Sequence, residues 1–227
     1  MRNWKPKFAE EDQALIKLDA SLPAMPSDET FLAATKTGDW LPRLLLMTAN
    51  SEKVKSAAFP MNHYALINGQ NMRDIGTTVD ILIIAWRAKA IEMGAEVITI
   101  FDTKNPAFQR IQDRADEKDS GCMFGPEYLV YVPATKEFAT FFMGSKSSRR
   151  EAPGVKARMF KSGTLKSQLV KTKKYQWQVP MCVPCSTAFE MPDSDEIKVQ
   201  AEKFLNPPAQ VIEKVDAADK AATDRDR

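Results

Sequence analysis

The residues with the clearest chemical potential lie in a basic segment, residues 144–174. It holds ten basic side chains and one acid, Glu151, so its net charge is ten minus one, or +9. Phe142 comes before the segment, and Tyr175 and Trp177 follow it. Phosphates bind lysine and arginine, while unpaired bases stack on aromatic rings at about 1–3 kcal/mol each. A charge run alone is typical of a solvated surface, but the flanking rings favour binding of a single-stranded nucleic acid.

We predict an interface made of three groups of residues. Inner cations would neutralise phosphates, outer cations would form a positively charged funnel, and Arg87 and Lys89 would extend the groove. Phe142 and Trp177 lie in alternating stretches, so a place in the core remains an alternative for them. The predicted phosphate-binding residues are Lys146, Arg149, Arg150, Lys156 and Arg158, the outer cations are Lys166, Lys171, Lys173 and Lys174, and the stacking candidates are Trp86, Phe142, Tyr175 and Trp177.

Two cysteines, Cys182 and Cys185, have the spacing of a redox pair or of half a zinc site. A second pair is missing, so Cys122 and the single histidine, His63, would have to complete the four ligands from distant positions. The residues after Cys185 resemble a helix and a tail rather than the βαβ unit of a thioredoxin-like protein. We expect structural cysteines, no metal and no other cofactor.

The chain offers few enzyme sites. One histidine excludes a zinc centre with two or three histidines, and it leaves a single imidazole for any serine or cysteine nucleophile. The stretch GSKSSRR lacks the full glycine pattern of a phosphate loop, so we predict a strand-end turn there. Carboxylates could hold Mg²⁺ in a nuclease, but their spacing selects no pair; the candidates are Asp80, Asp102, Asp113, Asp116, Glu117 and Asp119. We expect a protein that is not an enzyme.

The hydrophobic pattern predicts a mainly β (α+β) protein. Short strands alternate with turn signals, Asn68-Gly69 marks one turn, and YLVYV and FATFFM form a predicted hairpin. TLKSQLVK has the spacing of an amphipathic helix, and a second helix is predicted in DSDEIKVQAEKFL. These elements suit an OB-like small β-barrel with helical N- and C-terminal extensions. We divide the chain into an arm (1–39), a β-barrel core that binds nucleic acid (40–190), and a helix with a flexible mixed-charge tail (191–227).

The composition also bears on location. No apolar stretch reaches the roughly 18 residues of a spanning helix, and the N-terminus lacks the apolar centre of a signal peptide. Three unevenly placed cysteines favour a reducing compartment over a disulfide framework. We expect a cytoplasmic protein that does not bind a membrane.

The order of these segments resembles a known family over roughly residues 40–180. PRLLLMTANSEKV, the turn INGQNMRDIG, the strand VDILIIAWRAKA and the later EYLVYVPATKEFATFFMGSKSSRREA are similar in layout to single-stranded DNA-binding proteins of bacteriophage type, which have an OB-fold. The resemblance implies a non-catalytic protein that coats single-stranded DNA in the host cytoplasm during viral replication or recombination. It also implies replication or recombination proteins as partners, and it leaves homo-oligomers open. The tail departs from the pattern, because it is only mildly acidic and ends without an aromatic residue.

Two other hypotheses remain at this point. A metal-dependent nuclease would use the carboxylates and would cleave the strand in the presence of Mg²⁺. A structural or assembly protein of a virion would use the basic segment to contact packaged nucleic acid or an acidic neighbour, and would form regular oligomers without DNA.

Overall fold

The computed structural model describes residues 41–49, 51–69, 71–94, 96–171, 176–207 and 210–214. Within these ranges the chain forms one sheet of ten strands and four helices. The strands are β1 (Arg43–Leu46), β2 (Tyr64–Asn68), β3 (Asn71–Gly76), β4 (Thr78–Met93), β5 (Glu96–Ile100), β6 (Cys122–Val132), β7 (Glu137–Phe142), β8 (Ser162–Lys171), β9 (Gln176–Pro184) and β10 (Gln210–Lys214). The helices are α1 (Glu52–Lys55), α2 (Pro106–Arg114), α3 (Lys146–Lys156) and α4 (Ser194–Leu205).

Several predictions fall outside these ranges. They are the N-terminal arm (1–39), the end of the C-terminal tail (215–227), and three of the predicted binding residues, Lys173, Lys174 and Tyr175.

Strand β4 organises the sheet, because it has 16 residues and different neighbours along its length. One of its edges pairs with β6. The other edge pairs with β8 through residues 78–82 and with β5 through residues 90–93. Beyond β6 the order continues through β7, β1 and β2 to β3, and the pairing of β1 with β7 is parallel.

The prediction of an OB-like small β-barrel with helical extensions is wrong, because the sheet is larger and open. Its order ends at β3 on one side and at β10 on the other, and a branch ends at β9. Over the described ranges, no backbone pairing joins these ends. The cause is the length of β4: its two halves recruit different partner strands, so the sheet branches instead of curling round to meet its own edge.

The local predictions have mixed outcomes. The hairpin of YLVYV and FATFFM is confirmed as β6 and β7, and Gly69 turns between β2 and β3 with a φ of +57°. The C-terminal helix is confirmed as α4, which Asp193 caps by accepting a hydrogen bond from the Asp195 amide at 3.0 Å. The helix predicted for TLKSQLVK is wrong, because that segment is strand β8 and pairs with β4 and β9. The turn predicted for GSKSSRR is also wrong, because α3 begins there.

Helices cover both faces of β4. Successive side chains of a strand point to opposite faces, and Ile83 and Ile84 accordingly belong to two different buried clusters. Helix α3 contributes Val155 to the cluster of Ile83, whereas α4 contributes Phe204 to the cluster of Ile84. Helix α2 adds Ile111 to a third cluster, near the far end of β4. The basic helix α3 and the C-terminal helix α4 therefore pack on opposite faces.

Among the described helices, none is both long and apolar enough to cross a membrane.

Gly125 of β6 provides a test of the packing between β6 and the segment that follows β7. A Cβ atom added at this position would lie 2.2 Å from the carbonyl oxygen of Met143, and backbone cannot swing away as a side chain can. We expect Gly125→Ala to lower the free energy of unfolding by about 1–3 kcal/mol, measured by urea denaturation.

Gly154→Ala in α3 is the matched control, because an added Cβ there has no neighbour within 4 Å. Alanine favours a helix over glycine, so this variant should be unchanged or more stable by about 0.5–1 kcal/mol. Equal stabilities of the two variants would contradict the close packing at Gly125.

Candidate nucleic-acid interface

The basic segment begins with helix α3, which the side chain of Ser145 caps. The Ser145 Oγ accepts a hydrogen bond from the Ser148 amide at 3.1 Å, and this satisfies one of the free amides of the first turn. Ala152 and Val155 are the buried apolar residues of the helix. Arg150 is exposed, and Lys146 is 60% exposed. The cations of α3 therefore have different environments.

Arg149 points into the protein, where its side chain is only 9% exposed. Its Nη1 donates to the carbonyl oxygens of Phe124 at 3.1 Å and Gly144 at 2.6 Å. Its Nη2 donates to Asp116 at 2.5 Å, and the guanidinium lies 4.1 Å from the centre of the Phe124 ring. The donors of Arg149 hold α3 against β6 and the loop after α2, so we leave Arg149 out of the interface proposed below, and its predicted contact with phosphate stays a prediction.

Asp116 also receives Lys146, whose Nζ lies 3.1 Å from its Oδ2. Burial alone would raise the pKa of Asp116, but hydrogen bonds from Lys146 and Arg149, together with their charges, lower this pKa on balance. The carboxylate thus ties the start of α3 to the loop after α2, and Lys146 is exposed but already paired.

Arg87 and Lys89 converge on a buried carboxylate, that of Glu127. Arg87 donates from Nε to Glu127 Oε2 at 2.8 Å, and Lys89 donates from Nζ to Oε1 at 2.6 Å. Arg87 and Lys89 are 14% and 15% exposed, and Glu127 is 2% exposed. Because Arg87 is paired with Glu127 across β4 and β6, the sheet itself fixes this arrangement.

Arg87 also fastens helix α4 to the sheet. Its Nη1 donates to the Phe204 carbonyl oxygen at 2.5 Å, and its guanidinium lies 4.2 Å from the centre of the Phe204 ring and 3.9 Å from that of Phe101. Burial lowers the pKa of Arg87. The charge of Glu127 and its hydrogen bond act in the opposite direction, but the pKa is lowered on balance. Arg87 and Lys89 are thus enclosed on the face that α4 covers, so we leave them out of the interface proposed below, and their predicted role in extending a groove stays a prediction.

Phe142 belongs to the same enclosed region. It is half-buried, and its ring centre lies 5.2 Å from the Lys89 Nζ. A Cβ added at Gly144 would lie 2.3 Å from this ring, so the ring packs on the backbone that leads into α3. The alternative that Phe142 is a packing residue therefore fits the structure.

A different set of basic residues surrounds the connector from α3 to β8, residues 157–161. The Phe160 amide donates to the Ile83 carbonyl oxygen at 2.8 Å, which holds the connector on β4. Lys156, at the end of α3, places its Nζ 4.5 Å from the centre of the Trp86 ring. We call Trp86, Lys156, Arg158, Phe160 and Lys161 the connector surface.

The members of the connector surface differ in exposure. Phe160 is 64% exposed and Lys161 is exposed, whereas Trp86, Lys156 and Arg158 are half-buried. Neither Arg158 nor Lys161 forms an ion pair with a residue that the structure describes. This surface therefore brings together two of the predicted phosphate-binding residues and one of the predicted stacking residues.

The other predicted cations lie along a ribbon formed by β8 and β9. Residues 162–166 of β8 pair with β4, but residues 167–171 pair only with β9 within the described ranges. Lys166 is exposed at the base of the ribbon, and Lys171 is exposed at its far end. Trp177 on β9 is half-buried, and its buried Nε1 has no hydrogen-bond partner among the described residues.

Sequence reasoning passed over Phe160 and Lys161 as binding residues. The order Arg158, Met159, Phe160, Lys161 places a ring between cations, and this was a usable signal. The exposure of the Phe160 ring could not be predicted from the sequence, because it depends on the conformation of the connector. The hydrogen bond from the Phe160 amide to the Ile83 carbonyl fixes that conformation.

The cysteines and carboxylates do not gather into a metal site. Over the described ranges, no group of three or more histidine, cysteine, aspartate or glutamate side chains could hold a metal ion. Cys182 and Cys185 are free thiols, and burial raises the pKa of Cys182 to about 11. Two of the candidate acids have partners of their own: Asp80 accepts a hydrogen bond from Thr164 at 2.5 Å, and Asp116 pairs with Arg149.

Comparison of the chain with protein-family models, with curated proteins and with solved structures gave no match.

Glu127 should contribute strongly to stability. Glu127→Gln would leave Arg87 and Lys89 largely buried without a counter-charge, and removal of one partner from a buried ion pair costs about 3–5 kcal/mol. Urea denaturation should show a loss of this size.

Glu137→Gln is the matched control, because Glu137 pairs with Arg73 at the surface, where the side chains are 38% and 53% exposed. Such pairs contribute about 0–1 kcal/mol. A loss at Glu127 no larger than the loss at Glu137 would show that the Glu127 cluster does not hold the sheet and α4 together.

The lowered pKa of Asp116 predicts that the stability of the protein depends on pH. Because its pKa is lowered in the folded protein, its contribution is fully present above the unfolded pKa of about 3.9 and is lost as the pH falls through the folded pKa. Asp116→Asn should therefore destabilise the protein at pH 7 and lessen the loss of stability below about pH 4. Asp119→Asn, at a side chain that is 84% exposed, is the control, and an identical acid profile for both variants would contradict this role.

Proposed function

We propose that this protein binds single-stranded DNA without strong sequence preference and without catalysis. The connector surface would contact the strand first, and the ribbon of β8 and β9 would extend the contact through Lys166 and Lys171. In this proposal lysine and arginine side chains neutralise phosphates, and the neighbouring rings receive bases.

The observation that carries the proposal is the division of the basic residues into two kinds. Arg87, Lys89 and Arg149 are enclosed, and each is bonded to a carboxylate. Lys146 is exposed but paired with Asp116. Five further cations of the basic segment form no ion pair with a described residue and are exposed or half-buried; they are Arg150, Arg158, Lys161, Lys166 and Lys171. Positive charge that no carboxylate neutralises favours a polyanion as the partner.

The exposed ring of Phe160 favours a single strand over a duplex. It lies in the basic segment, and a ring can stack only on a base whose face is open. The groove of a duplex is instead read by polar side chains at the base edges. The same proposal includes a role in replication or recombination. The protein would then be a phage protein whose partners belong to those pathways. A cytoplasmic location, which the three free thiols support, is also part of the proposal.

The test is a titration of fluorescent oligothymidine at several salt concentrations, with a duplex of equal length and with Mg²⁺ present. We compare the wild-type protein with the double variant Lys161→Gln, Lys166→Gln. If each lysine neutralises one phosphate, the slope of log K against log salt should fall by about 1.4, because each phosphate on a single strand contributes about 0.7.

Lys198→Gln is the matched control, because Lys198 is 72% exposed but lies on α4, on the opposite face of β4. It should bind like the wild type. The proposal fails if the wild-type protein prefers the duplex, or binds neither oligonucleotide. Cleavage that depends on Mg²⁺ would support a nuclease, and regular oligomers formed without DNA would support a virion protein.

A further inference from the structure

Phe160 combines two features that are unfavourable in a folded protein. Its side chain is 64% exposed, the largest exposed fraction among the large hydrophobic residues that the structure describes. Its φ is +59°, in the left-handed region where a Cβ atom is crowded by the backbone. Four other non-glycine residues of the described part have positive φ, namely Ala57, Asn62, Asp119 and Lys136, and none of them is aromatic.

The backbone around Phe160 is fixed on both sides. The Phe160 amide donates to the Ile83 carbonyl at 2.8 Å, Met159 forms a parallel bridge with Ile83, and the Lys161 amide donates to the Arg158 carbonyl at 2.9 Å. These bonds hold the connector in a conformation in which the ring is exposed. A strained residue persists only where its surroundings determine it, and such residues cluster at functional sites.

The ring has no partner of its own kind in the described part of the chain. It stacks on no other described ring, and no described cation lies over it. Arg158 and Lys161 lie two residues before it and one residue after it in the chain, and neither forms an ion pair with a described residue. A nucleotide with an unpaired base fits this surface, because its base is flat and its phosphate is negatively charged.

We propose that Phe160 is a stacking platform for one unpaired base, and that the connector maintains its strained conformation to present the ring. This inference rests on the proposed function and adds to it the residue that holds a base. Arg158 and Lys161 contact the phosphates on either side of that base.

Four variants test the platform: Phe160→Tyr and Phe160→Trp keep a ring, Phe160→Leu keeps an apolar side chain, and Phe160→Gly removes the side chain and relieves the strain. Oligothymidine affinity should fall by about 5- to 150-fold for the leucine and glycine variants and stay near the wild-type value for the tyrosine and tryptophan variants. The salt slope should be unchanged in all four, because the ring contacts no phosphate.

Stability gives the second readout. The melting temperature of Phe160→Gly should equal that of the wild type or exceed it by about 2–4 °C, because glycine adopts positive φ without a clash. If the ring were needed for folding, Phe160→Gly would instead lower the melting temperature. Weaker binding without weaker folding is therefore the signature of the platform.

Four outcomes would overturn the inference. If Phe160→Gly binds like the wild type while the Lys161→Gln, Lys166→Gln variant loses salt dependence, the proposed function stands and the platform fails. If Phe160→Gly lowers both affinity and melting temperature, the ring is structural. If it instead abolishes self-association of the protein and leaves DNA affinity unchanged, the ring contacts a second copy of the chain; and if the wild-type protein binds no DNA, both proposals fail together.

Discussion

The rest of the sheet depends on the pairing of β4, whose 16 residues contact different strands on its two edges. An unpaired buried amide or carbonyl costs free energy, so a strand of this length needs long partners or several of them. Strand β6 supplies one edge, and β8 and β5 share the other. This division places β8 and its ribbon at one end of β4 and the helix α2 with β5 at the other. The connector surface exists because the chain must pass from α3 to the first of these two partners.

The sequence was informative where structure depends on neighbouring residues. The hairpins and α4 could be predicted, because turn residues, alternation and a capping aspartate act over a few positions. Strand β8 was missed, because Leu165 and Leu169 have helical spacing, and only pairing with β4 and β9 decides their conformation. The prediction of a closed barrel was wrong for a related reason. Whether two edges meet depends on the relative lengths of strands that are far apart in the chain, and no local pattern states it.

The candidate site shows the same division between local and distant causes. That the segment after Gly144 is basic, and that aromatic residues interrupt it, could be read from the sequence. Which of the predicted cations remain at the surface could not be read, because the carboxylates that pair with the enclosed ones lie far away along the chain. Asp116 pairs with Arg149, and Glu127 pairs with Arg87 and Lys89. A buried cation without such a partner would lose several kcal/mol of hydration, so these pairs are requirements of the fold.

The two kinds of cation also explain why the proposed binding of a single strand does not depend on the barrel that the sequence predicted. Binding of a flexible strand needs charge and open rings along a path, and it does not need a particular strand order. What matters is that the charge at the connector is not neutralised by the protein itself. In the enclosed cluster, Glu127 is the carboxylate that both cations share, and Arg87 bonds to α4 through the Phe204 carbonyl. At the connector, Arg158 and Lys161 have no such carboxylate among the described residues and stand beside an exposed ring, so their charge supports the proposed binding of an anion.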